Sequence, residues 1–294
     1  MMQKAGENIN IQSASQKLKS SIKHPVSFVF FVLIAISVIF TVVSLGFLIG
    51  YILINGIPNL TPKLFAWHYT TENASMLPAL INTIWMTILA LVIAIPFGIG
   101  AAIYMVEYAK KGNKIVEIVR ITAETLTGIP SIVYGLFGML FFVTALHWGY
   151  SMLAGAATLA IMVLPVIMRT TEEALLCVPD MYREGSFGLG AGKLRTIFKI
   201  VLPTAIPGIL SGIILAIGRI VGETAALIYT AGTVAEAAGV MDSGRTLAIH
   251  MYSLSREGLH TNEAYATAVV LLIVVLLING LSSLIARKLE AATK

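Results

Sequence analysis

The stretch that decides the fold, residues 184–203, reads EGSFGLGAGKLRTIFKIVLP. Its fixed points are Glu184, Gly190, Ile200, Leu202 and Pro203. Glycine favours the end of a helix, and proline favours the first turn of the next one. We therefore predict a short polar helix that ends near Gly190, followed by a turn and then by a long apolar helix.

On either side of that stretch, the chain contains long runs without a charged residue. These windows are residues 24–62, 73–106, 125–168 and 264–286. A bilayer core needs about 20 apolar residues per helix, so the third window has room for two spans. Continuous rather than alternating apolarity favours helices over membrane strands. We predict an all-α membrane protein with six spans, at about 27–54, 79–106, 120–146, 151–169, 206–231 and 264–287.

The composition supports a membrane protein and excludes several other classes. The chain is 57% hydrophobic and 12% charged, whereas a soluble domain carries about 25% charged residues. The net charge of +5 comes from basic residues spread along the chain, so we predict no nucleic-acid partner. Cys177 is the single cysteine, which excludes an internal disulfide. The histidines lack metal-ligand spacing, so no metal site is predicted.

The basic residues predict how the chain is oriented in the lipid bilayer. With the N-terminus in the cytoplasm, 16 of the 20 Lys and Arg residues fall on the cytoplasmic side and three fall outside. Cytoplasmic loops carry an excess of Lys and Arg, so both termini are predicted to be cytoplasmic. Residues 1–24 are then a poorly ordered cytoplasmic tail, and residues 25–294 form the transmembrane domain. Residues 170–205 form a cytoplasmic connection, and Thr246–Arg256 is predicted to be a short helix at the outer membrane surface.

The pattern in residues 184–203 resembles the EAA motif of ABC importer permeases, E-A-A-x3-G-x9-I-x-L-P. Its Glu, Gly, Ile, Leu and Pro match at the family spacing, whereas Gly185 and Ser186 replace the two alanines. The resemblance implies that this segment docks on an ATPase subunit and transmits its motion. The expected coupling residues are Asp180, Glu184, Gly185, Ser186, Gly190, Ala191, Ile200, Leu202 and Pro203. Asp180 is predicted to cap the short helix.

The chain itself is not predicted to be an enzyme. It has no G-x-x-x-x-G-K-[ST] phosphate loop, so ATP hydrolysis requires another subunit. No cofactor is expected in this chain, and ATP and magnesium are expected in a partner ATPase. The alternative from another class is a secondary transporter or channel that works without an ATPase. That alternative predicts transport by this chain alone and leaves the EAA-like motif without a purpose.

Three further segments resemble the PstA-type permeases of phosphate importers. They are GIPSIVYGLFG at 128–138, RTTEE at 169–173 and AIGRIVGETA at 216–225. The resemblance runs from about residue 26 to the C-terminus and implies a type I, MetI-like permease in the bacterial cytoplasmic membrane. It implies as partners a homologous PstC-type permease, a PstB-type ATPase dimer, an external PstS-type phosphate-binding protein and inorganic phosphate. A PstC-type identity, or another substrate such as sulfate, molybdate or an amino acid, are the open alternatives.

The predicted substrate path centres on Arg219 and Glu223 in the fifth span. A charged residue within a span is costly and should face a cavity or a partner. Spacing of i, i+4 puts both side chains on one helix face, where they either neutralise each other or serve the substrate. In the second interpretation, Arg219 contacts translocating phosphate with its planar donor fork, and Glu223 orients Arg219 and accepts a hydrogen bond from hydrogen phosphate. Thr224 either adds a hydroxyl donor or bonds to its own helix.

A second charged pair, Arg120 and Glu124, also has i, i+4 spacing, near the inner end of the third span. We predict that it is a structural or gate pair rather than a substrate contact. Pro130 and Ser131 belong to the same possible gate. Tyr134 is predicted either to line the path or to pack in the core.

Overall fold

The computed structural model describes residues 25–110 and 112–293, and every regular element within these ranges is a helix. The all-α prediction is therefore confirmed for the described part of the chain. The predicted cytoplasmic tail, residues 1–24, lies outside the described residues, as do Lys111 and Lys294.

The chain divides into two compact units, with the boundary after Ile54. The first unit is formed by most of helix α1, Pro25–Gly56. Its 32 residues extend over about 48 Å at 1.5 Å per residue, which is more than the thickness of a bilayer core. Its sequence contains no charged residue, as expected of a helix that crosses a bilayer.

The second unit contains ten further α-helices. They are α2 (Leu77–Ile103), α3 (Lys114–Thr127), α4 (Ser131–Gly138), α5 (Met152–Leu176), α6 (Asp180–Gly188), α7 (Lys193–Thr196), α8 (Leu202–Val221), α9 (Ala225–Ile228), α10 (Leu247–Glu257) and α11 (Thr261–Thr293). Three π-helical turns extend α2, α4 and α7, at Tyr104–Tyr108, Met139–Ala145 and Ile197–Val201. Short 3-10 helices lie at Ile57–Asn59 and Pro62–Phe65.

Among the described residues, five helices are long and apolar enough to cross a membrane, and the count reaches the predicted six if one bent pair is taken as a single span. The pair is α3 with the α4 segment, and the two parts meet at 104°. Pro130 causes the break because it lacks a backbone N–H and disfavours helical backbone at the preceding residue.

The predicted cytoplasmic connection, residues 170–205, is largely helical. Helix α5 continues to Leu176, well past the predicted end at residue 169. After α6 and its turn, helical structure resumes at Lys193 and runs without a gap to Val221. The fifth span therefore begins and ends earlier than predicted, which moves Arg219 from the middle of the span to its last turn.

Helix α5 forms the centre of the second unit, and small residues let its neighbours approach it closely. Most of its apolar window is buried, and the main core cluster joins it to α2 and α8. On α8, Gly208 and Gly212 form a G-x-x-x-G pair that faces α5. A side chain at Gly208 would meet Ala174, and one at Gly212 would collide with Thr170. Close packing of this kind is a main source of helix association inside a membrane.

The first turns of α2 hold the loop that precedes α10. The buried Asn82 side chain donates to the carbonyl oxygens of Glu236 and Arg245, at 2.8 and 3.1 Å, and accepts from the backbone N–H of Ala238 at 2.9 Å. The next residue, Thr83, accepts a hydrogen bond from the N–H of Leu247 at 2.8 Å. Two neighbouring polar side chains thus fix the loop and the start of α10.

Helix α10 occupies nearly the predicted range, but it does not simply lie on the membrane surface. Leu247, His250 and Leu254 are buried. The two leucines pack with Leu64 and Met76 in a core cluster of their own. The helical spacing of apolar residues identified the helix, whereas its partner from the loop before α2 is far away in sequence.

We expect Gly212→Ala to destabilise the subunit. The added methyl group would collide with the Thr170 hydroxyl, and overpacking of a core costs about 1–3 kcal/mol. Thermal unfolding of the detergent-solubilised protein measures the effect. The matched control is Gly218→Ala on the same helix, where a Cβ atom meets open space. Equal melting temperatures for the two variants would contradict the proposed close contact.

The buried His250 should make stability depend on pH. Burial, helped by the charge of Arg245, lowers the pKa of His250 to about 3, although its hydrogen bond to the Ala74 carbonyl opposes the shift. Below pH about 6.5 the His250 imidazole is protonated in the unfolded chain but stays neutral in the folded chain. The free energy of unfolding therefore falls as the pH drops from 6.5 towards 3. We expect His250→Gln to flatten the pH dependence of unfolding between pH 6.5 and 5. The exposed His147→Gln should leave it unchanged.

Candidate functional site

Helix α6 carries four of the nine expected coupling residues, namely Asp180, Glu184, Gly185 and Ser186. The predicted cap by Asp180 is wrong, because Asp180 is the first helical residue and Pro179 holds the capping position without a side-chain hydrogen bond. The Asp180 carboxylate instead lies 3.2 Å from Nη1 of Arg183. An acidic side chain in the first turn still favours the helix through its dipole.

The end of α6 follows from Gly190, which has a left-handed backbone with φ of +79°. The N–H of Gly190 donates to the Phe187 carbonyl at 2.9 Å, and the N–H of Ala191 donates to the Ser186 carbonyl at 3.1 Å. These bonds satisfy carbonyl groups that the helix end would otherwise leave free. Glycine tolerates this conformation at no steric cost, which is why the predicted helix end coincides with it.

The two residues that replace the alanines of the motif face different ways. Gly185 is exposed and a Cβ atom there would meet nothing within 4 Å. Ser186 is buried, and its hydroxyl lies 2.8 Å from the Thr196 hydroxyl on α7. Ser186 therefore links α6 to α7 instead of adding to an outward face of small residues. Glu184, beside them, is exposed.

The outer surface of α6 and its turn is apolar and open. Met181, Tyr182, Phe187 and Leu189 are exposed, Leu189 to 92%. Beside them runs a groove of about 500 Å³ lined by residues of α6 and by Ala191, Arg195 and Ile200. Exposed apolar patches next to polar residues commonly mark sites of protein association. Leu202 and Pro203 lie at the start of α8, where the proline suits the first helical turn.

Arg219 and Glu223 do not pair as the spacing predicted. Helix α8 ends at Val221, so the i, i+4 register does not reach Glu223. The Glu223 carboxylate instead accepts a hydrogen bond from the N–H of Ala226 at 3.1 Å and closes the first turn of α9. Among residues 25–110 and 112–293, the ion pairs include neither side chain. Of the two alternatives, mutual neutralisation is therefore contradicted, and so is the prediction that Glu223 orients Arg219.

Two helix breaks, one after α3 and one after α8, lie close together near the end of α8 that carries Arg219. A Cβ atom at Gly135 of α4 would lie 2.8 Å from Cα of Ala226 in α9. The break after α3 and the break after α8 are therefore neighbours. Tyr134 is buried and donates to the Leu126 carbonyl at 2.7 Å, so it packs across the first break. The Thr224 hydroxyl makes only a long bond of 3.5 Å to the Gly222 carbonyl.

The predicted gate pair is also rearranged. Arg120 does not pair with Glu124 on its own helix but with Glu172 on α5, with Nε 2.7 Å from Oε1. Glu124 pairs with Arg169 of α5 at 3.5 Å, and Arg169 also contacts Glu173 at 3.5 Å. These charges line a groove of about 290 Å³ between α3 and α5. Pro130 and Ser131 begin α4 and take no part in this network.

The comparison with known sequences identifies the family. The family described as the binding-protein-dependent transport system inner membrane component matches residues 94–294. The chain belongs to this family. It is an ABC importer permease subunit of the inner membrane, as the EAA-like motif predicted. No group of histidine, cysteine, aspartate or glutamate residues in the described part of this permease could hold a metal ion.

Several relatives of the permease are similar over much of their length. The probable ABC transporter permease protein YqgI of Bacillus subtilis is 35% identical over 83% of this chain and 90% of the relative. The phosphate transport system permease protein PstA of Yersinia pestis is 38% identical over 68% of each chain. The protein PstA 1 of Mycobacterium tuberculosis is 42% identical over 52% of this chain, and that match spans 50% of the relative.

Solved structures confirm the predicted type I permease fold. The bacterial alginate ABC transporter, in complex with an alginate pentasaccharide-bound periplasmic protein, aligns with a TM-score of 0.69 at 15% identity, over 92% of this chain and 98% of the other. The MetNI methionine ABC transporter aligns with a TM-score of 0.57 at 22% identity, over 73% of this chain and 94% of the other. At these identities the likeness concerns the fold alone.

Spacing in the sequence did not predict the ion pair that is best buried among those of residues 25–110 and 112–293. Arg183 of α6 and Glu107 at the end of α2 are joined by a bond of 2.8 Å, with 14% and 7% of their side chains exposed. The two residues are 76 positions apart, so no spacing rule connects them. The available signals were local: Glu107 ends a charge-free window, and Arg183 directly precedes the motif glutamate.

We expect Glu172→Gln to destabilise the permease, since it removes the charge opposite Arg120. Hydrogen bonds to charged groups contribute about 1.5–3 kcal/mol, and only 9% of the Glu172 side chain is exposed. The matched control is Glu124→Gln, whose side chain is 71% exposed in its pair with Arg169. Exposed pairs contribute about 0–1 kcal/mol. Similar losses for both variants in thermal unfolding would contradict the unequal roles of the two pairs.

Proposed function

We propose that this permease subunit translocates inorganic phosphate across the cytoplasmic membrane and that Arg219 contacts the anion. The observation that carries the proposal is the state of Arg219. It is half-buried in the last turn of a span, beside a helix break, and no carboxylate pairs with it among the described residues. An intramembrane cation without a counter-charge is costly unless it faces a water-filled path or an anion. A guanidinium offers the planar donor fork that phosphate oxygens accept.

The neighbouring breaks support an anion path at this position. Helix α4 begins at Ser131 directly after Pro130, and the first N–H groups of a helix have no partner within it. The N–H of Val133 donates to the Pro130 carbonyl at 3.0 Å, which leaves those of Ser131 and Ile132 for an anion. Interrupted membrane helices commonly direct such N-terminal ends at anionic substrates. Thr224 would add a hydroxyl donor when its long bond to Gly222 is exchanged for the anion. Glu223 holds the turn that follows instead of orienting Arg219.

The relatives favour phosphate among the possible anions. Proteins named as phosphate permeases share 38% and 42% identity with this chain over the matched residues. The methionine and alginate transporters share 22% and 15%, so their substrates say little about this one. The same arginine would also suit sulfate or molybdate, and a PstC-type role in the same system is the nearest alternative.

The same proposal implies the other subunits of the transporter. The permease would pair with a homologous PstC-type permease, two PstB-type ATPase subunits that bind ATP and magnesium, and an external PstS-type phosphate-binding protein. The open face of α6, with Glu184 and Gly185, would dock on the ATPase. Both termini would be cytoplasmic, and the charged groove at Arg120 would serve as an inner gate.

The test is phosphate uptake by the assembled complex in proteoliposomes. We expect Arg219→Ala to lower uptake at least about tenfold, because a hydrogen bond to a charged group contributes about 1.5–3 kcal/mol. Arg219→Lys should retain part of the activity, since it keeps the charge but loses the fork. Lys288→Ala, which removes an exposed cation from α11, is the matched control and should transport normally.

Competition identifies the substrate in the same assay. An excess of sulfate or molybdate should leave radiolabelled phosphate uptake unchanged. Strong inhibition by either ion would move the assignment to another oxyanion. Normal uptake by an assembled Arg219→Ala complex would remove Arg219 from the path.

A further inference from the structure

We propose that the ion pair of Arg183 and Glu107 is the joint through which movement of α6 reaches the membrane helix α2. The proposal rests on the proposed function, in that α6 is taken as the element that receives motion from an ATPase. Arg183 and Glu107 are then positioning residues, which touch neither substrate nor nucleotide.

Arg183 ties α6 to two spans at once. Its Nη2 and Nε atoms donate to Oε1 of Glu107 at 2.8 and 3.0 Å. The same guanidinium donates to the carbonyl oxygen of Leu175, in the last turn of α5, at 3.0 Å. It also donates to the carbonyl oxygen of Val178, in the connector, at 2.7 Å. One side chain therefore links the coupling helix to the ends of α2 and α5.

Helix α7 contacts the same turn at the end of α2. Nζ of Lys193, the first residue of α7, lies 4.7 Å from the ring centroid of Tyr108. Tyr108 follows Glu107 directly within the π-helical turn Tyr104–Tyr108. Met105, in the same turn, packs in a buried cluster with Leu175 and Val201. Helices α6 and α7 thus both contact this one turn, α6 through an ion pair and α7 through a cation–π contact.

Burial makes the ion pair resist separation. The Glu107 side chain is 7% exposed and that of Arg183 is 14% exposed, so parting them would leave two poorly solvated charges. The rest of α6 has little to hold it, because Ser186 is its only buried residue. A force applied to the exposed face of α6 should therefore displace α6 and the end of α2 together.

Helix α2 can carry that displacement across the membrane. The helical segment Leu77–Tyr108 has 32 residues and a length of about 48 Å. At its other end, Asn82 and Thr83 hold the loop before α10 by side-chain hydrogen bonds. One continuous element thus connects the ATPase-facing segment with the loops at the opposite end of the bundle.

The test compares Glu107→Gln with Glu117→Gln in the complete complex. Glu117→Gln is the control, because it removes an exposed carboxylate from α3, the helix that follows α2, and makes the same change of side chain. Coupling between sites typically changes an equilibrium by about 5–150-fold, so we expect Glu107→Gln to lower phosphate uptake per ATP hydrolysed at least about fivefold. ATPase binding should be retained, and Glu117→Gln should behave as wild type. The exchanged pair Glu107→Arg with Arg183→Glu should recover part of the loss.

A second readout is independent of the substrate. In a Cys177→Ser background, Ile84→Cys places a reactive group on an exposed site near the start of α2. ATP should change its rate of labelling by a membrane-permeable maleimide, and Glu107→Gln should abolish that change. A wild-type complex that moves position 84 but takes up no phosphate would contradict the phosphate assignment and leave the joint supported. Unchanged movement and unchanged uptake per ATP in Glu107→Gln would overturn the joint, as would loss of ATPase binding in that variant.

Discussion

The structure depends on one constraint: inside a bilayer, each backbone N–H and carbonyl group needs a partner within the protein. The constraint explains the absence of strands among the described residues, and it makes the two helix breaks, after α3 and after α8, informative. At the first interruption, the Tyr134 hydroxyl reaches back to the Leu126 carbonyl. At the second, the Glu223 carboxylate accepts the N–H of Ala226. At each break a side chain satisfies a backbone group, and Glu223, which the i, i+4 spacing had assigned to the substrate path, serves the backbone instead.

The same two interruptions decide what Arg219 can do. Because Glu223 serves the backbone, Arg219 has no carboxylate partner among the described residues, and it lies in the last turn of α8 beside the second break. A mutually neutralised pair would offer an anion little attraction. The separation of the two residues therefore strengthens the case for an anion path, although it removes the particular arrangement that the i, i+4 spacing suggested.

The extent to which the sequence predicts this fold depends on the range of the interaction. Charge-free windows locate the spans, because the need for apolar length acts within one helix. The turn at Gly190 is also local and follows from its left-handed backbone. Pairing between helices is not local. Arg120 and Glu124 have ideal helical spacing, yet Glu172 and Arg169 of α5 attract them more strongly. Arg183 and Glu107 are 76 residues apart, and only the assembled fold brings them together.

The exchange of two alanines for Gly185 and Ser186 has a structural meaning that the motif comparison did not supply. The Ser186 hydroxyl forms a buried hydrogen bond with the Thr196 hydroxyl and so joins α6 to α7, where an alanine could make only apolar contact. Gly185 leaves the outer face open and weakens the helix that contains it. A helix so weakly held by its own sequence needs other contacts to keep its shape. Arg183 and the Ser186–Thr196 hydrogen bond supply these contacts, and both attach α6 to other helices of the permease. The segment can therefore present a loosely packed surface to a partner while its base remains fixed to the spans.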